Sequence, residues 1–178
     1  MRFTLAFVAA LVGLAAASPL EARGGAPQAC GNCRNVVPLL RAYSAGGTDH
    51  FYTTNAAEMR NAVTNLGYTD EGTTGYIFPT QELHTVPLYR LYNGAIRDHF
   101  YTTNAAERDN AAQRLGYTNE GITGYVYPDT ACGGLPLYRL YSGGATDHFY
   151  TMSAAERDNA SNNLGYTQEG IAGYIFPY

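Results

Sequence analysis

The ten residues D-H-F-Y-T-T-N-A-A-E run from Asp49 to Glu58 and recur letter for letter from Asp98 to Glu107. A third copy, Asp147 to Glu156, differs only at Met152 and Ser153, and the copies stand 49 residues apart both times. A chain that repeats itself at a fixed period must build the same unit each time. The repeats span 38–79, 87–128 and 136–177, with equal linkers, no insertions and more than half of their positions identical in all three. Equal linkers make every unit meet its neighbour alike, which predicts a closed, pseudo-threefold arrangement.

Within a copy, P-L-Y-R-L-Y reads as a strand. Leu88, Arg90 and Tyr92 share one face, and Tyr89 and Leu91 the other. The first set is invariant (Leu39, Arg41, Tyr43; Leu137, Arg139, Tyr141) and the second varies, so the invariant face is expected to hold the fixed packing partners. A variable turn follows at Ser44–Thr48, Asn93–Arg97 and Ser142–Thr146, leading into a second strand, H-F-Y-T, that completes a hairpin. A helix of about ten residues comes next, with Asn55, Asn104 and Ser153 as N-caps and Glu58, Glu107 and Glu156 completing capping boxes. Its expected buried stripe is Ala62 and Leu66 with their equivalents Ala111, Leu115, Ala160 and Leu164. Gly67, Gly116 and Gly165 end it in left-handed conformation. E-G-x-x-G-Y-x-x-P reads as a turn and a last strand, with Gly75, Gly124 and Gly173 marking close approach or a bulge. Each unit is therefore ββαβ and the whole is α+β; a β-trefoil, of similar repeat length but without the helix, is the runner-up.

Ahead of the repeats, Met1–Ala17 reads as a secretory signal peptide: Arg2, an apolar run, then Ala15-Ala16-Ala17. The run is short of the roughly 20 residues that a membrane-spanning helix needs. Residues 18–37 form a leader and 38–178 a single domain of three repeats, expected to be extracellular. The 11 basic residues, all Arg, are outnumbered by 15 acidic ones. That balance speaks against nucleic acid and against an anionic membrane, both of which call for basic surfaces, and the absence of Lys removes Schiff-base chemistry. Three cysteines, Cys30, Cys33 and Cys132, are too few for a four-ligand zinc site. A disulfide from Cys30 or Cys33 to Cys132 is expected, closing a loop of roughly 100 residues.

The segments P-L-Y-R-L-Y-N, D-H-F-Y-T-T and E-G-I-x-G-Y-V-Y-P, which recur over residues 38–177, resemble a secreted repeat domain of unknown function. That domain is common in fungi and is also appended to bacterial exported proteins. Its association with exported hydrolases and surface proteins implies cell-wall or carbohydrate binding. The first repeat departs from the hallmark at Leu40 and Ala42, where the others carry Tyr and Leu.

His50, His99 and His148 are a conceivable metal set if they converge, but a structural hydrogen bond explains them as well, and no metal or cofactor is expected. Three near-identical copies do not furnish the unlike roles that a catalytic centre needs, and no catalytic signature is present. Arg41, Arg90 and Arg139 are expected in partly buried ion pairs with an acid of their own unit, for Arg90 one of Asp98, Glu107 and Glu120, with Glu71, Glu120 and Glu169 as the candidates; the alternative is recognition of an acidic or hydroxyl-rich ligand. Sixteen Tyr and no Trp suit both a core and a sugar-stacking surface. The candidate ligand-binding residues are Tyr89, Tyr138 and the pairs Asp49-His50, Asp98-His99 and Asp147-His148, flanked by the turns at Gly46, Ala95 and Gly144. Asn159-Ala160-Ser161 is a glycosylation sequon, but it falls within the third helix, away from its cap, and a helix interior is an unfavourable acceptor. The expected function is a non-catalytic binding module for cell-wall or surface glycan. Alternatives are a secreted structural or protein-interaction protein (an inhibitor or effector) and a hydrolase.

Overall fold

The computed structural model describes residues 29–177; the segment read as a signal peptide and most of the leader lie outside them. The first unit is β1 (Val37–Ser44), β2 (Asp49–Thr53), α1 (Ala56–Asn65) and β3 (Thr69–Ile77). The second is β4 (Val86–Asn93), β5 (Asp98–Thr102), α2 (Ala105–Arg114) and β6 (Thr118–Val126). The third is β7 (Leu135–Ser142), β8 (Asp147–Thr151), α3 (Ala154–Asn163) and β9 (Thr167–Ile175). Each unit is a three-stranded antiparallel sheet whose first strand lies in the middle, β2-β1-β3 and likewise thereafter. The ββαβ unit is thus found three times, each with its helix, and the trefoil alternative is not what the chain builds.

The two faces of the central strand do different work. Leu39, Leu88 and Leu137 face the pseudo-threefold axis, where they form one core with Tyr52, Tyr101 and Tyr150 and with Ile77, Val126 and Ile175. On the opposite face, Ala42, Leu91 and Leu140 are fully buried beneath the unit's own helix, against Phe51, Phe100 and Phe149. The variable face is therefore packed as closely as the invariant one, and its variation is compensated. The first unit has the small Ala42 and fills the space with Met59, where the others carry Arg108 and Arg157.

The caps hold in part. Asn55 Oδ1 accepts from the N–H groups of Ala57 and Glu58, but Glu58 does not reach back to close the box. Thr53 Oγ1 accepts from the Asn55 N–H instead, which releases the Glu58 carboxylate for a partner in another unit. Leu66, Leu115 and Leu164 are 61%, 57% and 59% exposed, contrary to the buried stripe expected of them. Each is the helix's C-cap residue, past the last residue that faces the sheet. Gly67, Gly116 and Gly165 do take positive φ. The turn expected at Glu71 is absorbed into β3 as a bulge, with Gly72 at φ 83° and its N–H donating to Asp70 Oδ1.

Units close into a ring through their edges. β2, β5 and β8 each have a partner on one side only, and an unpaired edge leaves backbone groups without hydrogen bonds. The Tyr52 N–H donates to the Tyr101 hydroxyl at 2.8 Å, and that hydroxyl donates to the Tyr52 carbonyl at 2.6 Å. Tyr150 serves Tyr101 in the same way, and Tyr52 serves Tyr150. Three buried hydroxyls thus seal three strand edges in a cycle. At the other end of the axis, Phe78 pairs with Tyr125, Tyr127 with Tyr174 and Phe176 with Tyr76. Gly75 permits this approach: a Cβ there would lie 2.6 Å from Met152 Sδ and 2.8 Å from the Phe176 carbonyl oxygen.

Phe78, Tyr127 and Phe176 meet edge to face and close that end of the core. The chain ahead of β1 lies across them. The Tyr127 hydroxyl donates to the Gly31 carbonyl, and Cys30 is bonded to Cys132, leaving Cys33 as the exposed free thiol. The disulfide is one of the two pairings expected from sequence.

Candidate functional site

The opposite end of the axis carries the Asp-His pairs. Asp49, Asp98 and Asp147 are at most 1% exposed, and their carboxylate oxygens come within 4.8 Å of one another. It is these carboxylates, rather than the imidazoles, that converge on the axis. Like charges so placed require donors, and each carboxylate has three. Asp49 accepts the backbone N–H of His99 at 2.8 Å, His99 Nδ1 at 2.7 Å and the Tyr68 hydroxyl. Asp98 is served by His148 and Tyr117, and Asp147 by His50 and Tyr166. In every case the tyrosine comes from the Asp's own unit and the histidine from the next. Burial, and then the adjoining Asp, push the hydroxyl pKa of Tyr68, Tyr117 and Tyr166 up. The backbone N–H of the histidine belongs to the same open strand edge that the tyrosines seal, so the Asp ring continues that seal.

The arginines bridge units in the same sense. Arg90 grips Glu58 of the first unit with both terminal nitrogens, at 3.0 and 2.9 Å, while its Nε lies 2.8 Å from Glu120 of its own unit. Arg139 joins Glu107 and Glu169, and Arg41 joins Glu156 and Glu71. The ion pairs with Glu71, Glu120 and Glu169 expected from sequence are present; the stronger bidentate bond to the preceding unit is the addition. Burial disfavours the charged guanidinium of Arg90, yet the bond to Glu58 and the surrounding negative groups raise its pKa overall. Burial likewise acts against the Glu58 carboxylate, but the bonds from Arg90 and Thr53 hold it below its ordinary 4.5. The Arg90 guanidinium also lies over the Phe51 ring, 5.4 Å from its centroid.

Between the first and second units these groups form the floor of an open cleft of about 670 Å³. Its walls are Asn61, Leu66 and Tyr68 on one side and Tyr92, Arg97 and His99 on the other. Tyr92 stacks on His99 with ring centroids 4.4 Å apart, and His99 leans on Phe51 at 4.9 Å. At the mouth, Arg97 has a positive φ of 55°, as do Thr146 (55°) and Thr48 (53°) at the same place in the other copies. A non-glycine residue there is strained. In each case its side chain bonds a carbonyl in the preceding unit's turn: Arg97 to Gly46, Thr146 to Ile96 and Thr48 to Ala145. Gly46 and Gly47 keep the first turn small, and a Cβ on Gly47 would point at Arg97 Cδ from 3.5 Å.

The sequence-derived candidates divide accordingly. Asp49 and His99 belong to this cleft, while the other Asp and His residues take the equivalent places at the remaining two junctions. Tyr89 and Tyr138 lie elsewhere, half-buried on the helix side of the sheet. Arg108 and Arg157 cover their rings at 4.3 and 4.4 Å. Leu40 with Met59 replaces that pair in the first unit, so the first unit's departure from the hallmark is an exchange of one packed pair for another. Sequence reasoning passed over Asn61, Tyr92 and Arg97. Arg97 alone carried a signal, as the one charged residue at a turn position that is otherwise Thr.

Fold and site define a class: a ring of three ββαβ units, with a polar-aromatic cleft where the first unit meets the second. Residues 38–176 match the family described as a domain of unknown function (DUF5648), and the chain belongs to it. No curated protein and no solved structure matches.

Proposed function

We propose that the protein is an exported, non-catalytic module that binds a neutral oligosaccharide in the cleft between its first and second units. The observation that carries this reading is the composition of that cleft. Sugars present apolar C–H faces and rings of hydroxyls, which pair with aromatic faces and with planar groups able to give and take hydrogen bonds. Tyr92, backed by His99, supplies the aromatic face; Asn61 gives and accepts, Arg97 gives and Glu120 accepts. The volume lies within the range of about 300–1,000 Å³ common for small-ligand sites.

Charge selects a neutral ligand. Asp49, Glu58 and Glu120 face two guanidiniums, of which Arg90 is already held by both glutamates. An anionic sugar entering the cleft meets at least as much negative as positive charge. The same pairing speaks for binding rather than turnover, since the two glutamates nearest the floor share one arginine and neither is free to act as acid or base. The Cys30–Cys132 disulfide suits an oxidising compartment, and among the described residues no helix is long and apolar enough to cross a membrane.

A glycan array and pull-downs on insoluble polysaccharides test the reading. Retention on a neutral polymer, lost in Tyr92→Ala, is expected. Silence across chitin, glucans and mannans would sink it, and a stable protein partner from secreted extracts would put the protein-interaction alternative in its place.

A further inference from the structure

We propose that Asn159 carries an N-linked oligosaccharide that lies over the junction of the third and first units, so that the three junctions are not equivalent in the mature protein. The proposal rests on the export reading above but not on the ligand.

Asn159 occupies in α3 the place that Asn61 occupies in α1, and Asn61 lines the cleft between the first and second units. The junction of the third and first units is built of the same parts. Tyr43 stands against His50 at 4.6 Å, His50 against Phe149 at 4.8 Å, and Arg41 holds Glu156 and Glu71. Asn159 is exposed, and its Oδ1 accepts from Asn163 at 2.9 Å. Its amide nitrogen, the atom to be modified, makes no hydrogen bond among the described residues.

Of the three asparagines at this place, only Asn159 heads an Asn-x-Ser/Thr triplet, because Ser161 stands where the other copies carry Val63 and Ala112. Ser is a poorer helix former than Ala, and Ser161 Oγ is spent on the Asp158 carbonyl and on Gln168. The helix is no obstacle, since the triplet is read in the extended chain before α3 forms.

The donor is a lipid-pyrophosphate-linked oligosaccharide of the eukaryotic secretory lumen. The Asn159 amide nitrogen attacks the anomeric carbon and an N–C bond forms. The C–O bond to the pyrophosphate breaks, the lipid pyrophosphate departs, and the amide gives up one proton. Once α3 has folded, the attached sugar starts beside the junction at which Tyr43 stands against His50.

The full chain, expressed with its own leader in a eukaryotic secretory host, is the material for the test. Peptide mass spectrometry before and after treatment with a peptide N-glycosidase should show a glycan on Asn159 and its release with conversion of Asn to Asp. Ser161→Ala, which copies the second unit and should fold normally, should lose the glycan. Tyrosine nitration then reads placement: Tyr43 should react several-fold more slowly in the glycosylated protein than in Ser161→Ala, with Tyr92 unchanged as the internal reference. A chain exported bare at Asn159 overturns this proposal alone, whereas a chain retained in the cells defeats the export reading and this proposal with it. Equal nitration of Tyr43 in both proteins overturns the placement over the junction.

Discussion

Replacing Tyr101 with Phe removes one oxygen atom and leaves the shape of the core unchanged. In most proteins such a change is mild. Here the hydroxyl accepts from the N–H of Tyr52 and donates to its C=O on an unpaired strand edge, and both residues are 1% exposed. Each buried backbone group left unpaired costs about 1–3 kcal/mol, so the expected loss is about 2–6 kcal/mol, a large part of the 5–15 kcal/mol typical of a domain. Equilibrium urea unfolding should show the midpoint falling with the slope unchanged. Tyr52→Phe and Tyr150→Phe should cost as much as Tyr101→Phe, because the three bonds are related by the pseudo-threefold. Tyr92→Phe, whose hydroxyl has no partner among the described residues, should stay within about 0.5 kcal/mol of the parent. Three axial variants that all unfold at the parental midpoint would refute the claim that these hydroxyls seal the edges.

Arg90→Ala strips Glu58 and Glu120 of their shared cation; with the glutamates partly exposed, thermal unfolding should show a loss of about 1–2 kcal/mol, against a negligible change for Arg60→Ala on the exposed face of α1. Because Glu58, Glu107 and Glu156 titrate below their ordinary 4.5 in the folded chain, their contribution is complete above that value and fades as pH falls through their depressed pKa, so urea midpoints measured from pH 6 to pH 3 should decline. Tyr52, Tyr101 and Tyr150 are held well above their ordinary 10.0 by burial; their contribution is complete below 10.0 and is lost as pH rises beyond it, giving cooperative alkaline unfolding above pH 10.0. Cys132→Ser opens the Cys30–Cys132 bond across a separation of 102 residues and should cost about 2–4 kcal/mol by urea unfolding.

The period of 49 made the unit, its helix and its closure into a ring legible in the sequence. It also concealed how the ring is held. Glu58, Glu107 and Glu156 are the same residue in the same local setting, so nothing in the string separates an Arg90 that bonds its own unit's Glu107 from one that bonds Glu58 next door. The same ambiguity hid the Tyr and Asp cycles, because a repeat specifies contacts only up to a choice of copy. Leu66 was misread because its spacing from Ala62 fits a buried stripe, while the helix ends one residue earlier and turns it outward. The packed pair Tyr89–Arg108 was open to view: where Tyr gives way to Leu40, Arg gives way to Met59. Arg97 could be seen to differ from Thr48 and Thr146, but that its turn stands at the mouth of a cleft required the neighbouring unit to be in place.

Binding in the cleft between the first and second units is tested most directly by NMR titration of the isotope-labelled full chain with neutral oligosaccharides from chitin, glucan and mannan. Saturable shifts centred on Asn61, Tyr92, Arg97 and Glu120, sparing Tyr89 and Tyr138 and abolished by Gly47→Ile, are the expected result. Shifts confined to the helix side around Tyr89 and Tyr138, or none with any of the three series, would contradict it.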